Sequence, residues 1–241
     1  MMAADLSPGA GVRAELAAAA LALLLPPRVT VAGFDLRDDP PPPLPGEDPG
    51  RAVPRRQREF AGGRAAVRRA LALMGQPPVA VPVGPGRAPV WPAGVVGSLT
   101  HTGPVCLAAV APAPGFHAIG IDAEPDAPMP ADLLPAVCRA EERAWLTARS
   151  DGLRLARAVF AAKEAAFKAQ FPLTGAWLAF TEALVTLDFA AGSFTLRFCR
   201  PAGPFAEGAE LPGRFAFRGG LVLAAVAIAR DGALPLGPAA L

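Results

Sequence analysis

The pentapeptide LAAVA occurs twice, at 107–111 and 223–227, and each time it closes a stretch in which helical periodicity gives way to strand-like alternation. In so alanine-rich a chain the match means little alone; the order of elements around it means more. In the first half an apolar run at 16–25 reads as a core helix and RVTVAGFDL at 28–36 alternates like a strand. The proline cluster at 40–45 with Gly46 reads as a surface loop, and Pro54 opens a helical pattern over 54–74 that Gly75 ends. Strands follow at 105–111 and 116–123. In the second half, helical segments at 131–149 and 153–171, the latter stopped by Pro172, precede strand patterns at 183–189, 193–200, 214–218 and 220–229. This order predicts an α+β fold: a pseudo-twofold repeat of two similar subdomains, each a helix packed on a small antiparallel sheet. Their expected extents are 1–115 and 116–241, with a ligand seated between them.

Composition narrows the function. With 241 residues and 52% apolar content the chain can bury a sizeable core. A net charge of +2 with 18% charged residues excludes non-specific nucleic-acid binding, which needs a dense basic face. Cys106, Cys138 and Cys199 are far apart with no CxxC spacing, so neither a disulfide framework nor a zinc site is expected, and a cytoplasmic location fits. The run at 16–25 is too short to span a bilayer, and Asp5 and Glu15 precede it, unlike the basic start of a signal peptide. No Walker loop, GxGxxG, GxSxG or HExxH pattern is present.

Four groups of residues stand out. Lys163 and Lys168 are the only lysines of the chain, five residues apart on one helical pattern with Glu164 between them. Two readings are open: a solvated i,i+4 Glu–Lys face, or compact point charges retained for a phosphate or a proton-transfer role. Glu164 and Lys168 fall on a stripe with Phe160, Phe167 and Phe171, which favours an inward face. In AIGIDAE (118–124), Asp122 and Glu124 lie two apart on a strand, so both carboxylates share a face. They are either a polar strand end in water or, with Glu164, oxygen ligands suited to Mg²⁺. In GSLTHTG (97–103), hydroxyls flank His101 at a strand start, a set that binds phosphate oxygens or surrounds a structural histidine. His117 lacks such surroundings and reads as structural. Arg64, four residues from Phe60 and three from Val67, lies beside the apolar stripe of its helix and needs an anionic partner, whereas Arg55, Arg56, Arg58, Arg68 and Arg69 read as surface decoration.

Four segments, RRQREFAGGRAAVRRAL (55–71), WPAGVVGSLTHTG (91–103), GIDAE (120–124) and VFAAKEAAFKA (159–169), occur in an order and spacing that resembles the Sfp-type 4'-phosphopantetheinyl transferases, especially the branch typified by enterobactin synthetase component D. The resemblance covers most of residues 28–175. It implies a Mg²⁺-dependent transfer of phosphopantetheine from coenzyme A to the serine of an apo carrier protein, with adenosine 3',5'-bisphosphate as the second product. It also implies Asp122, Glu124 and Glu164 as metal ligands, Arg64, Arg69, Arg87, Thr100 and His101 around the phosphates and adenine end, and Lys163 near the pyrophosphate. Lys168 matches the active-site lysine of the family, and Glu164 is the expected proton acceptor. Of the acidic pair in RAEERAWL (139–146), Glu141 ranks ahead of Glu142 for the acidic position of that helix. Phe160 and Ala123 stand where relatives commonly have tryptophan and isoleucine. The resemblance further suggests a monomer and, by analogy alone, a siderophore pathway. Two other functions compete: a coenzyme A pyrophosphohydrolase, and a non-catalytic module that binds coenzyme A or a carrier.

Overall fold

The computed structural model describes residues 13–231. Asp5 lies outside them. Helix α1 (Ala14–Ala22) and strand β1 (Thr30–Asp35) lead into the proline loop, and α2 (Pro54–Leu73) starts with proline at its first turn, where no backbone N–H is missed. Strands β2 (Val95–Thr102) and β3 (Val105–Pro112) complete a three-stranded antiparallel sheet in the order β1-β3-β2. Strand β4 (Phe116–Pro125) begins the second sheet. After α3 (Leu134–Val137), α4 (Ala140–Thr147) and α5 (Gly152–Thr174) come β5 (Ala183–Asp188), β6 (Ser193–Phe198), β7 (Glu210–Arg218) and β8 (Leu221–Ala229). The second sheet is five-stranded and antiparallel, in the order β4-β8-β7-β6-β5.

The two LAAVA segments occupy equivalent places. One lies in β3, between β1 and β2; the other lies in β8, between β4 and β7. On β3, Leu107, Ala109 and Ala111 face a core shared with α1 and the second sheet, while Ala108 and Val110 face α2. On β8, Leu223 and Ala225 enter that same shared core, and Ala224 and Val226 face α5. Both strands are buried on both faces, which is why neither alternates with polar residues. The α+β repeat expected from the sequence is therefore present: α2 covers the outer face of one sheet, α5 covers that of the other, and the inner faces meet across a common apolar layer.

Several local expectations are corrected. GSLTHTG is not at a strand start; Gly97 to Thr102 run along β2 to its end, paired with β3 from Gly97↔Val110 to Thr102↔Val105. The 131–149 pattern is not one helix, because the chain turns extended at Cys138 (φ −109°, ψ 135°) between α3 and α4. Helix α5 passes through Pro172 and ends three residues later at Gly175, in a left-handed cap whose N–H reaches the Phe171 carbonyl. So near the end of the helix, proline removes one backbone bond without breaking the element.

Close packing of α5 on β4 positions everything that follows. A Cβ on Gly120 would run into the Ala165 carbonyl oxygen, so only glycine allows this approach. Ala158, Ala161, Ala162, Ala165, Ala166 and Ala169 give α5 a buried surface of small side chains. Asp122 and Glu124, two and four residues beyond Gly120 on the same strand face, are thereby held against the helix.

Candidate active site

Strands β2 and β4 are the adjoining edges of the two sheets, and they meet through side chains. Ser98 Oγ accepts a bond from the Ile121 N–H at 3.1 Å, and Thr100 Oγ1 donates to Asp122 Oδ1 at 2.9 Å. From the other side, Lys168 Nζ donates to the same Oδ1 at 2.6 Å and to the Ile121 carbonyl at 3.2 Å. Asp122 Oδ2 is buried and takes no hydrogen bond. About three turns before Lys168 on α5, Arg157 Nη1 donates to Glu124 Oε2 at 3.2 Å. Arg157, Glu164 and Lys168 stand at i, i+7 and i+11, one face of the helix.

The carboxylates feel one another. Burial pushes the Glu124 carboxyl up to about 7, and the charge of Asp122 adds to this against the pull of Arg157 and Lys168. Burial raises the Glu164 carboxyl too; Lys168 opposes that and Asp122 reinforces it. As they stand, no three His, Cys, Asp or Glu side chains among the described residues converge closely enough to hold a metal ion. Asp122 Oδ1 is occupied by Thr100 and Lys168, and Glu124 by Arg157.

Asp122 and Lys168 line a cleft of about 1230 Å³ between the two halves, larger than the ~300–1,000 Å³ usual for a drug-sized ligand. Its other walls come from α2, the segment after the proline loop, and a turn at Pro85–Arg87. Arg64 lies on the cleft wall only 4% exposed, with its guanidinium 4.4 Å over the Phe60 ring. Its Nε has no partner among the described residues, and burial pulls its pKa below the ordinary value. A buried arginine with an open donor, facing a cavity, is suited to an anion. Arg87 also lines the cleft, in the left-handed region at φ 65°, the one non-glycine residue so placed among those described. The turn that carries it is tight: a Cβ on Gly86 would lie 2.6 Å from the Phe171 ring, so the turn rests directly on α5.

His101 lines the same cleft, and Arg56 Nη1 donates to its Nε2 at 2.5 Å. Burial lowers the His101 pKa, with Glu59 acting against it and Arg56 and Lys168 with it. The ring thus faces Arg56 as an acceptor. The sequence reading of Arg56 as surface decoration is corrected; the spacing carries the signal, because 56, 60 and 64 follow at i, i+4 and i+8 on one helix face.

Comparison with known families agrees with this arrangement in order along the chain. The model of the 4'-phosphopantetheinyl transferase N-terminal domain matches residues 48–111, and that of the 4'-phosphopantetheinyl transferase superfamily matches 118–225. The 4'-phosphopantetheinyl transferase Svp of Streptomyces mobaraensis is 45% identical over 87% of this chain and 89% of its own length. The 4'-phosphopantetheinyl transferase PptT of Mycobacterium tuberculosis is 37% identical over 82% of this chain and 92% of its own. The 4'-phosphopantetheinyl transferase Npt of Nocardia iowensis is 48% identical over 59% of this chain and 64% of its own. The chain belongs to the 4'-phosphopantetheinyl transferase superfamily. It is an enzyme of that type.

Two residues expected in the transferase site lie elsewhere. Arg69 is five residues from Arg64, about 140° around the helix at 100° per residue. It donates to the Gly33 carbonyl at 2.8 Å, sits 4.8 Å over the Phe34 ring and lies 3.8 Å from Glu15, away from the cleft. Lys163 points into the packing between α5, α3 and α4. Its three donors go to the Val137 carbonyl (2.9 Å), Glu142 Oε2 (2.7 Å) and the Phe180 carbonyl (2.8 Å). Burial lowers the Lys163 pKa against the pull of Glu142. Of the acidic pair, Glu141 is exposed beside Arg139, whereas Glu142 is buried, accepts from the Val185 N–H through Oε1 and caps α4 from Oε2; neither lines the cleft.

Proposed function

We propose that this transferase moves the phosphopantetheine group of coenzyme A to the serine hydroxyl of an apo carrier protein and releases adenosine 3',5'-bisphosphate. One observation carries the reading. One cleft is lined both by a buried arginine with an open donor and by a carboxylate–lysine corner, which suits a ligand whose phosphates are held by the one and react at the other. Arg64 and Arg87, with His101 and Arg56 beside them, bind the phosphates and adenine end. The serine oxygen attacks the pantetheine-side phosphorus of the pyrophosphate, and the bond from that phosphorus to the bridging oxygen breaks. The nucleotide leaves with that oxygen. Glu164 accepts the serine proton, directly or through water, and Lys168 offsets the negative charge that develops on the leaving side.

The donor chemistry fits Mg²⁺ as the cofactor. Asp122 keeps a buried oxygen without a partner, and Glu124 and Glu164 are pushed toward neutrality partly by the charge of Asp122, a repulsion that a divalent cation removes. Asp122, Glu124 and Glu164 would hold the ion, which when bound supplies Lewis-acid stabilisation of the phosphate oxygens. No helix among the described residues is long and apolar enough to cross a membrane. The four motif segments and the absence of a disulfide pattern support the component D-like branch and a cytoplasmic location.

Incubation with coenzyme A, Mg²⁺ and a panel of apo carriers, followed by intact mass, tests the proposal. We expect carrier mass to rise by one phosphopantetheine and EDTA to stop it. Release of phosphopantetheine without carrier would instead establish the pyrophosphohydrolase reading, and tight coenzyme A binding without turnover a non-catalytic module.

A further inference from the structure

Thr100 belongs to a motif that suggests phosphate binding, yet its one hydroxyl proton is already committed. A carboxylate oxygen can only accept, so the 2.9 Å bond between Thr100 Oγ1 and Asp122 Oδ1 is donated by the threonine. A phosphate oxygen also only accepts, and nothing remains on the Thr100 side chain to give it. Lys168 donates to the same Oδ1 from the opposite element. Asp122 is thus gripped at one oxygen by two donors, one from the edge strand β2 of the first sheet and one from helix α5, and its second oxygen is left buried and unpartnered.

Strand geometry makes this grip a property of the junction. Ser98 and Thr100 are two residues apart on β2 and therefore share a face. Ser98 holds the Ile121 N–H, which fixes the register between β2 and β4 that puts Thr100 opposite Asp122. Thr100 is 5% exposed and Ser98 4%, so water does not compete for either hydroxyl. Without the Thr100 donor the carboxylate is held at one point by Lys168 alone and is free to turn about its last torsion, which has no single preferred well.

We infer that Thr100 is a positioning residue, which orients Asp122 so that Oδ2 faces the position of the divalent cation, and is not itself a phosphate ligand. The inference rests on the transferase reading for the identity of the cation. Partners that orient a metal-binding group in this way commonly change affinity about 10–100-fold when removed.

The test uses the full-length protein as wild type, Thr100→Val and Thr100→Ser, with Mn²⁺ binding followed by electron paramagnetic resonance and adenosine 3',5'-bisphosphate binding by calorimetry in EDTA. Circular dichroism melts confirm that each variant folds. The valine variant is expected to bind Mn²⁺ about tenfold more weakly with nucleotide affinity unchanged, and the serine variant to regain Mn²⁺ affinity. Unchanged Mn²⁺ affinity in Thr100→Val, failure of the serine to restore it, or loss of nucleotide affinity in its place would overturn the assignment. Crystal structures of the two variants separate this from the transferase reading. If Asp122 turns in Thr100→Val although the wild type modifies no carrier, the positioning role stands and the reading falls; if the wild type is active and Asp122 stays fixed, the reverse holds.

Discussion

The chain has two lysines, and α5 places each of them against a carboxylate from another element. The pairs are opposites in how completely they are satisfied. Around Lys163 every donor has an acceptor, Glu142 has a backbone partner on each oxygen, and both side chains are 2% exposed. Around Lys168 the side chain is 25% exposed at the cleft, Asp122 keeps one oxygen unpartnered, and Glu164 nearby is raised by burial. The first is a closed fastening between α5, α3, α4 and β5. The second has unused valence directed at a cavity, and unused valence in a buried polar group is where a ligand can gain most.

The comparison can be broken most sharply at the closed pair. Lys163→Ala leaves Glu142 charged and buried without a cation, and stability measured by urea unfolding should fall by about 3–5 kcal/mol. The protein that remains folded should bind coenzyme A normally, since Lys163 does not reach the cleft. Lys163→Arg should also destabilise, because a planar fork cannot direct donors to three acceptors around a point. A wild-type melting temperature for that variant would refute the fastening.

At the open pair the effect should fall on rate. Lys168→Ala should lower kcat by about 10²–10³, the range seen when one preorganised donor to developing charge is lost. Its stability should fall by less than that of Lys163→Ala, because Asp122 keeps the Thr100 donor and the vacated space opens on the cleft. Lys168→Arg should not restore the rate. Glu164→Gln should likewise lower kcat by about 10²–10⁴ if it takes the serine proton, and full turnover in that variant would remove the role.

A smaller effect is expected from joint replacement at the closed pair. Lys163→Met with Glu142→Leu removes both buried charges and should recover part of the stability lost in Lys163→Ala. Recovery stays incomplete because the Val137 and Phe180 carbonyls and the Val185 N–H lose their partners. Smallest of all should be Arg69→Ala, with KM for coenzyme A unchanged and stability lower by about 0.5–1 kcal/mol for the lost contact over Phe34. Arg64→Ala, measured beside it, should raise KM.

Much of this site was readable as pattern. A carboxylate pair two apart on a strand, and Glu164 and Lys168 four apart on a helix, fix shared faces whatever the fold does, because strand and helix periods are local properties of the backbone. Arg56 shares a face with Phe60 and Arg64 on the same ground, but a helix rich in arginine gives no local sign of which ones face a cavity. Lys163 shows the limit most clearly. It differs from Glu164 by one residue and about 100° of helix, and what lies at that angle is decided by α3, α4 and the start of β5, elements that come from up to 29 residues earlier and some 20 later in the chain.

The sequence by itself determined the two α+β halves, the central strands that repeat LAAVA, and the family, because burial on both faces and short motif spacings are written in consecutive residues. Tertiary structure alone decided which lysine is structural, that Arg69 turns from the cleft while Arg64 lines it, and that Thr100 gives its proton to Asp122. Those outcomes depend on which donors and acceptors remain unpaired once separate elements have packed, and no local segment contains that information.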